Sequence, residues 1–270
     1  MSLQRRIENS WQGLSPSERK IAVLLEQNQH IVVSHSVAEI ATMAGVSKAT
    51  VSRFFRSLGY DDHMAARLEM RSSRESGVPV QLTSITPPEA LQEEWQNLVQ
   101  AHKDFDHQES ALADAILAAE NIYILGFRNG YPAARHLRQQ LVQLRPGVSL
   151  LPAAGQTLAE DMVDISSRDL VILMGFRRRI KSFKPLIQGL NRQLDQQQLV
   201  LLTDPTGSGY GQWVGTTVIC PLGAQQPMDN YSVVFSLISR LVNTVAERAG
   251  SLKRIQQIKT LYEELDELDL

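Results

Sequence analysis

Residues 36–60, SVAEIATMAGVSKATVSRFFRSLGY, decide how the N-terminal part of this chain is read. Ser36 stands three residues before Glu39, the spacing at which a serine hydroxyl and a glutamate carboxylate each satisfy the other's backbone amide at a helix start. Gly45 then offers the left-handed turn that closes such a helix. Ser47 can cap a second helix, whose Val51, Phe54, Phe55 and Leu58 recur at helical spacing until Gly59 ends it. This is the grammar of a helix-turn-helix: Ala41 is small enough for close helix approach, and Val46 and Val51 pack inward. Ser36, Ser47, Lys48, Thr50, Ser52, Arg53 and Arg56 are the candidate contacts to double-stranded DNA, the last six on an outward face. From Ser47 to Leu58 the only charges are Lys48, Arg53 and Arg56, without an acid. Hydroxyls and amides at the start of such a helix bond phosphate oxygens, and a guanidinium fork reaches guanine edges or phosphates.

Upstream, Ser15, Pro16 and Glu18 open another helix, expected over Pro16–Gln27 with Ile21, Ala22, Leu24 and Leu25 on its apolar side. Downstream, residues 72–88 (SSRESGVPVQLTSITPP) are rich in Ser, Pro and Gly without an apolar period and read as a linker. Residues 91–117 resume as helix. From Asn121 the pattern changes to short continuous apolar runs: Ile122 to Leu125, Val148 to Leu151, Leu170 to Leu173, Leu199 to Leu202 and Thr217 to Cys220. Helical stretches are expected over 131–144, 157–164, 183–195 and 229–249, and the tail from Ser251 reads as a last amphipathic helix. Such alternation predicts a parallel sheet covered on both faces. The organisation expected is an all-α helix-turn-helix domain (1–75), a linker and connecting helix (76–104), an α/β domain (105–250) and a C-terminal helix (251–270).

The 270 residues carry 27 Lys+Arg against 29 Asp+Glu, a net charge of −2, so the whole-chain balance does not single out nucleic acid. Residues 1–80 hold ten basic and eight acidic side chains (+2), which leaves 17 basic and 21 acidic (−4) for the remainder. A hydrophobic fraction of 43% and a charged fraction of 21% exclude a disordered chain. A lone Cys220 excludes an internal disulfide and suits the cytosol. The first fifteen residues have no apolar signal core and no run reaches membrane-spanning length, so a cytoplasmic protein without membrane association is expected.

The segments Ser17-Glu-Arg-Lys-Ile-Ala22 and Val46-Ser-Lys-Ala-Thr-Val-Ser-Arg-Phe-Phe-Arg-Ser-Leu-Gly-Tyr60, followed by the strand and helix order of the remainder, resemble the RpiR-type bacterial transcriptional regulators. The resemblance implies an N-terminal helix-turn-helix and a C-terminal sugar-isomerase (SIS) domain. It also implies a homodimer or homotetramer acting on an operator whose affinity responds to a small metabolite. In such α/β folds ligands sit at the carboxyl ends of strands, beside helix N-termini. The loops that matter are therefore Gly126-Phe-Arg-Asn-Gly130, Gly175-Phe-Arg-Arg-Arg179 and Thr203-Asp-Pro-Thr-Gly-Ser208.

Here the sequence departs from the usual SIS pattern: Gly130 stands at the first-loop serine, and Phe176, Arg177 and Arg179 replace the second-loop serine, glycine and threonine. The candidate effector residues are Gly126, Arg128, Asn129, Gly130, Arg177, Arg178, Arg179 and Thr203, and the arginines predict an anionic ligand, a sugar phosphate or a carboxylate. The alternatives are a solvated charge run in a domain that only dimerises, or an isomerase using Glu160, Asp161 or His136 as its proton carrier. No enzyme activity and no cofactor are expected. Six scattered histidines and one cysteine offer no metal-ligand spacing. Ser208 between glycines lacks a nucleophile elbow, and Gly126-x-x-x-Gly130 lacks the GxGxxG fingerprint.

Overall fold

The computed structural model describes residues 3–27, 31–75, 87–153, 157–223 and 228–267. The chain divides into two compact units, residues 1–92 with 223–229, and residues 93–222 with 230–270. In the first unit six helices follow one another: α1 (Leu3–Ser10), α2 (Pro16–Gln27), α3 (Ile31–Ser34), α4 (Val37–Ala44), α5 (Lys48–Ser57) and α6 (His63–Glu75). α2, α4 and α5 open at local signals. Ser15 Oγ and N both donate to Glu18 Oε2 at 2.6 and 2.9 Å ahead of α2. Ser36 and Glu39 close the reciprocal box ahead of α4. Gly45, at φ +63°, gives its N–H to Ala41 and Thr42 carbonyls and turns the chain into α5.

The core of this unit is built by Ile7, Ile21, Leu25, Ile40, Val51, Phe54 and Phe55, all fully buried. Phe54 and Phe55 meet edge to face at 5.4 Å, and burial of each side chain of this size stabilises the fold by about 1.5–3 kcal/mol. α1 and α6 carry no local signal, yet α1 fastens the end of α5 and α6 fastens α3. Arg6 of α1 donates to the Leu58 carbonyl at 3.2 Å, pairs with Glu69 at 3.1 Å and lies 4.5 Å from the Tyr60 ring centroid. Arg67 of α6 donates to the Val33 and His35 carbonyls.

The second unit contains α7 (Pro87–Phe105, which begins before the division), α8 (Glu109–Ala118), β1 (Ile122–Gly126), α9 (Gly130–Leu141), β2 (Val148–Leu151), α10 (Leu158–Met162), β3 (Leu170–Gly175), α11 (Phe183–Gln193), β4 (Leu199–Thr203), β5 (Thr216–Ile219), α12 (Ser232–Ala249) and α13 (Lys253–Leu265). The five strands form one sheet in the order β2-β1-β3-β4-β5, every pair parallel, with Ile122 beside Val148 and Leu170, and Met174 beside Leu202. The fold of this unit is thus α/β with the parallel sheet expected from the apolar runs. β3 is buried along its whole length and β4 likewise, which is why both read as unbroken apolar runs rather than alternating ones.

The stretch read as a single helix over 91–117 is two helices. Residues 106–108 form a turn between them, and the Gln108 amide bonds the Phe105 carbonyl. The final strand begins one residue earlier than expected, at Thr216, and α9 and α10 are shorter than their apolar periods. Of the linker expected at 72–88, residues 76–86 lie outside the described residues. Among the described residues no helix is long and apolar enough to cross a membrane.

Candidate nucleic-acid interface and anion site

The second helix of the turn, α5, begins at a serine cap. Ser47 Oγ accepts the Thr50 amide at 3.1 Å and lies 2.9 Å from Thr50 Oγ1. Val51, Phe54 and Phe55 occupy the buried side of the helix, so the opposite side is fixed in space by the core. On that side Ser47, Lys48, Ala49, Arg53 and Arg56 are exposed and Ser52 is half-buried. The amides that precede the first intrahelical bonds of α5 point along the same end, adding the partial positive charge of a helix N-terminus to the Lys48 ammonium. Four of the polar side chains read as outward therefore share one solvent face, with Ser52 at its border.

Thr50 departs from the expectation that it faces out. It is 7% exposed, because position 50 lies one turn before Phe54 on the inner side of the helix and its hydroxyl lies 2.9 Å from that of the Ser47 cap. Ser36 is exposed and its hydroxyl holds the Glu39 amide at 3.3 Å, so its observed work is to start α4. Glu18 supports α5 from below: its carboxylate accepts Ser57 Oγ at 3.2 Å. The Ser15 hydroxyl, the Ser15 amide, Ser57 and the charge of Arg53 together hold its pKa below the ordinary carboxylate value, against the upward pull of burial. Behind the helix, the buried His63 ring lies 5.1 Å from Phe55 and its Nε2 sits 3.0 Å from the Val32 carbonyl, and burial lowers its pKa. Arg6 and Arg67 were missed in the sequence because nothing local distinguishes an arginine that caps distant carbonyls from one that is solvated.

At the carboxyl ends of β1 and β3 the structure sorts the candidate effector residues into two kinds. Gly126 and Gly130 serve close packing. A Cβ on Gly126 would lie 2.6 Å from Ala134 Cβ and 2.8 Å from the Gly130 carbonyl oxygen, and one on Gly130 would lie 2.8 Å from the Met174 carbonyl oxygen. The first turn of α9 thus rests directly on the ends of β1 and β3. Between these glycines Arg128, in the left-handed region at φ +52°, and Asn129 are both exposed.

The three consecutive arginines do not form one cationic rim. Arg179 turns inward and is consumed by the protein. Its Nη2 lies 2.6 Å from Asp204 Oδ1 and 2.9 Å from Thr203 Oγ1, its Nη1 reaches Thr206 Oγ1 at 3.1 Å, and its Nε donates to the Gly175 carbonyl at 2.8 Å. The Tyr210 ring centroid lies 5.4 Å from its guanidinium carbon. With side chains only 10% and 2% exposed, Arg179 and Asp204 neutralise each other.

Thr203, fully buried, accepts from Arg179 and donates to the Gly175 carbonyl at 2.6 Å, so its hydroxyl is spent inside the same network. Arg179 and Thr203, expected to face a ligand, are held in this network by Asp204, a carboxylate two residues from the end of the quoted apolar run that carries no mark of burial in the sequence. Arg177 and Arg178 are half-buried: Arg177 donates to the Leu222 carbonyl at 3.2 Å, and Arg178 adopts φ +66°. Arg178 Nε is buried and has no hydrogen-bond partner among the described residues.

A groove of about 450 Å³ lies elsewhere, along the outer edge of β2, lined by Tyr131, Arg135, Arg138, Ser149 and Asp161 among others; none of the expected effector residues lines it. Of the isomerase candidates, Glu160 is exposed on α10, Asp161 is half-buried there and lines the groove, and the His136 ring meets Phe235 edge to face at 5.3 Å. Among the described residues no group of three or more His, Cys, Asp or Glu side chains is placed to hold a metal ion.

Residues 1–76 match the family described as "Helix-turn-helix domain, rpiR family". The chain is 25% identical over 276 residues to the HTH-type transcriptional regulator HexR of Pseudomonas aeruginosa, with 95% of each chain covered. Among solved structures it is similar to the NanR protein of Vibrio vulnificus complexed with ManNAc-6P, with TM-score 0.58, 19% identity and coverage of 98% of this chain and 99% of that one. It is also similar to the sugar isomerase domain of an RpiR transcription factor from Sphaerobacter thermophilus, with TM-score 0.56, 18% identity and coverage of 67% and 98%.

Proposed function

We propose that this chain, whose first 76 residues are an rpiR-family helix-turn-helix domain, is a DNA-binding transcriptional regulator that answers to a small phosphorylated sugar. The observation that carries the DNA half is the outer face of α5: two arginines, a lysine and a serine cap on one exposed side, held in register by fully buried Val51, Phe54 and Phe55. Lys48 and the helix start take phosphates. Arg53 and Arg56, one turn apart, reach base edges or the opposite backbone from the floor of the major groove. Ser47 and Ser52 contribute shorter contacts. The regulator is a homodimer, so its operator consists of two half-sites related by two-fold symmetry.

The effector half rests on the parallel α/β unit and its likeness to NanR with a bound sugar phosphate. On this chain the strand-end cations offered to an anion are Arg128, which is exposed, and Arg178, whose Nε has no hydrogen-bond partner among the described residues, since Arg179 is neutralised by Asp204. Binding would alter operator affinity through different affinities for two states of the dimer, commonly a coupling of about 1–3 kcal/mol. The non-enzymatic reading is supported by the regulator relatives.

Selection of bound duplexes from a random library, using the full chain, tests the reading. An inverted-repeat consensus that is not enriched by Arg53→Ala supports it, and enrichment of no sequence at all overturns it.

A further inference from the structure

The last helix, α13, has no buried residue although it carries an apolar stripe: Ile255, Ile258, Leu261, Tyr262 and Leu265 fall within about a third of its circumference. Leu261 and Leu265 are 51% and 64% exposed, while Ile255, Ile258 and Tyr262 are half-buried. The helix is fastened at its start, where Arg254 Nε donates to the Val142 carbonyl at 2.7 Å. Its charges are segregated. Lys253, Arg254 and Lys259 are the only ionised side chains in the first half, and Glu263, Glu264, Asp266 and Glu267 follow in the second.

That arrangement opposes the helix's own dipole. There is no acid in the first turn and no base in the last, so cations sit at the positive end and anions at the negative end. Within one copy the order gives one exposed ion pair among the described residues, Lys259 to Glu263 at 3.5 Å, a small gain for a pair so exposed. A second copy lying antiparallel reverses it, placing each acidic end beside a basic start. The apolar stripe is consistent with the same operation. About a two-fold axis at Thr260, Ile255 comes opposite Leu265 of the partner subunit and Ile258 opposite Tyr262 of the partner subunit, with Lys253 near Glu267 of the partner subunit.

We infer that α13 is a self-pairing surface, joining two copies of this chain as antiparallel helices about a two-fold axis. This rests on the homodimer named above and states where its symmetry axis passes. A 13-residue helix spans only about 20 Å, and such a contact falls short of the roughly 1,200 Å² of a stable stand-alone interface. The pairing therefore strengthens and orients a dimer to which other surfaces of the α/β unit contribute.

Sedimentation equilibrium of the full chain at low salt tests it with two charge variants. One has an acidic helix (Lys253→Glu with Lys259→Glu), the other a basic one (Glu263→Lys, Glu264→Lys and Glu267→Lys). Each alone is expected to dimerise about tenfold more weakly than the wild type, and an equimolar mixture is expected to regain wild-type affinity as a heterodimer. The recovery is itself the control for folding. Parallel pairing, in which like ends already repel each other in the wild type, would instead make the mixture dimerise more tightly than the wild type, and that result overturns the antiparallel arrangement.

A wild-type dimer with both variants unchanged overturns the α13 assignment and leaves the homodimer standing. A wild type that stays monomeric up to the highest concentration overturns both. Weakening of both variants without recovery on mixing also contradicts the antiparallel arrangement.

Discussion

Replacing Arg179 by Met separates a structural arginine from a ligand-binding one. The guanidinium is 10% exposed and shared between the Gly175 carbonyl, two threonine hydroxyls and the Asp204 carboxylate, itself 2% exposed. Removing one partner of a buried ion pair leaves the other charged and unsatisfied, which costs about 3–5 kcal/mol. Asp204 keeps the Thr206 amide and hydroxyl at 3.2 and 2.7 Å, which places the expected loss near the lower end, about 3 kcal/mol. For a domain of this size that corresponds to a fall in melting temperature of about 6–12 °C. Adding Asp204→Asn removes the stranded charge while keeping acceptors for Thr206, and it is expected to restore at least about 1 kcal/mol, a non-additivity that only paired groups show. Circular dichroism melts and urea titrations of the wild type, both single variants and the double variant make the measurement. An Arg179→Met protein within about 0.5 kcal/mol of the wild type would refute the reasoning and return this arginine to the effector site.

Other consequences are open to direct measurement. Arg53→Ala is expected to weaken binding to a selected operator by about 1–3 kcal/mol and relax preference at one base pair if the side chain reads a base. If it meets a phosphate, the salt slope falls by about one with preference intact. His63 has its pKa lowered by burial, so its contribution to stability is full above the ordinary value of 6.5 and is lost as pH falls below that value towards the folded-state one. The protection factors of the Phe54 and Phe55 amides, which divide out the base-catalysed intrinsic rate, should fall on lowering pH from 7 to about 5.5, and the fall should shrink in His63→Gln. Gly130→Ser would push a Cβ to 2.8 Å from the Met174 carbonyl oxygen. It should destabilise the α/β unit by about 1–3 kcal/mol in urea titrations, whereas a loss under about 0.5 kcal/mol would show that α9 has room to move.

The N-terminal fold was legible because its signals are local. Ser36 and Glu39 box one helix, Gly45 turns the chain, Ser47 caps the next, and each of these contacts lies within a few residues. The parallel sheet was legible for a related reason: β3 and β4, buried on both faces, leave continuous apolar runs that only a covered sheet produces. The sites were less so. Thr50 sits one position off the outer stripe of α5, a matter of helix phase that the cap hydroxyl settles by bonding Ser47.

The fate of Arg179 is decided by Asp204, twenty-five residues away on the next strand end, and no periodicity reports that pairing. Arg6 reaches Leu58 across 52 residues for the same reason. Gly126 and Gly130 were read as a ligand turn, and the distances at their missing Cβ positions show close packing there as well. That also explains why no serine stands at position 130.

The most direct test of the central claim is fluorescence anisotropy of the full chain with duplex DNA from upstream of its own gene, against a scrambled duplex of equal composition, across a range of salt. The account predicts preference for the upstream duplex by at least about a thousandfold at physiological salt. It also predicts a negative slope in log affinity against log salt, reduced in Lys48→Ala and Arg53→Ala. Equal, salt-insensitive binding of both duplexes, unchanged by those substitutions, would contradict it and leave α5 as an assembly surface.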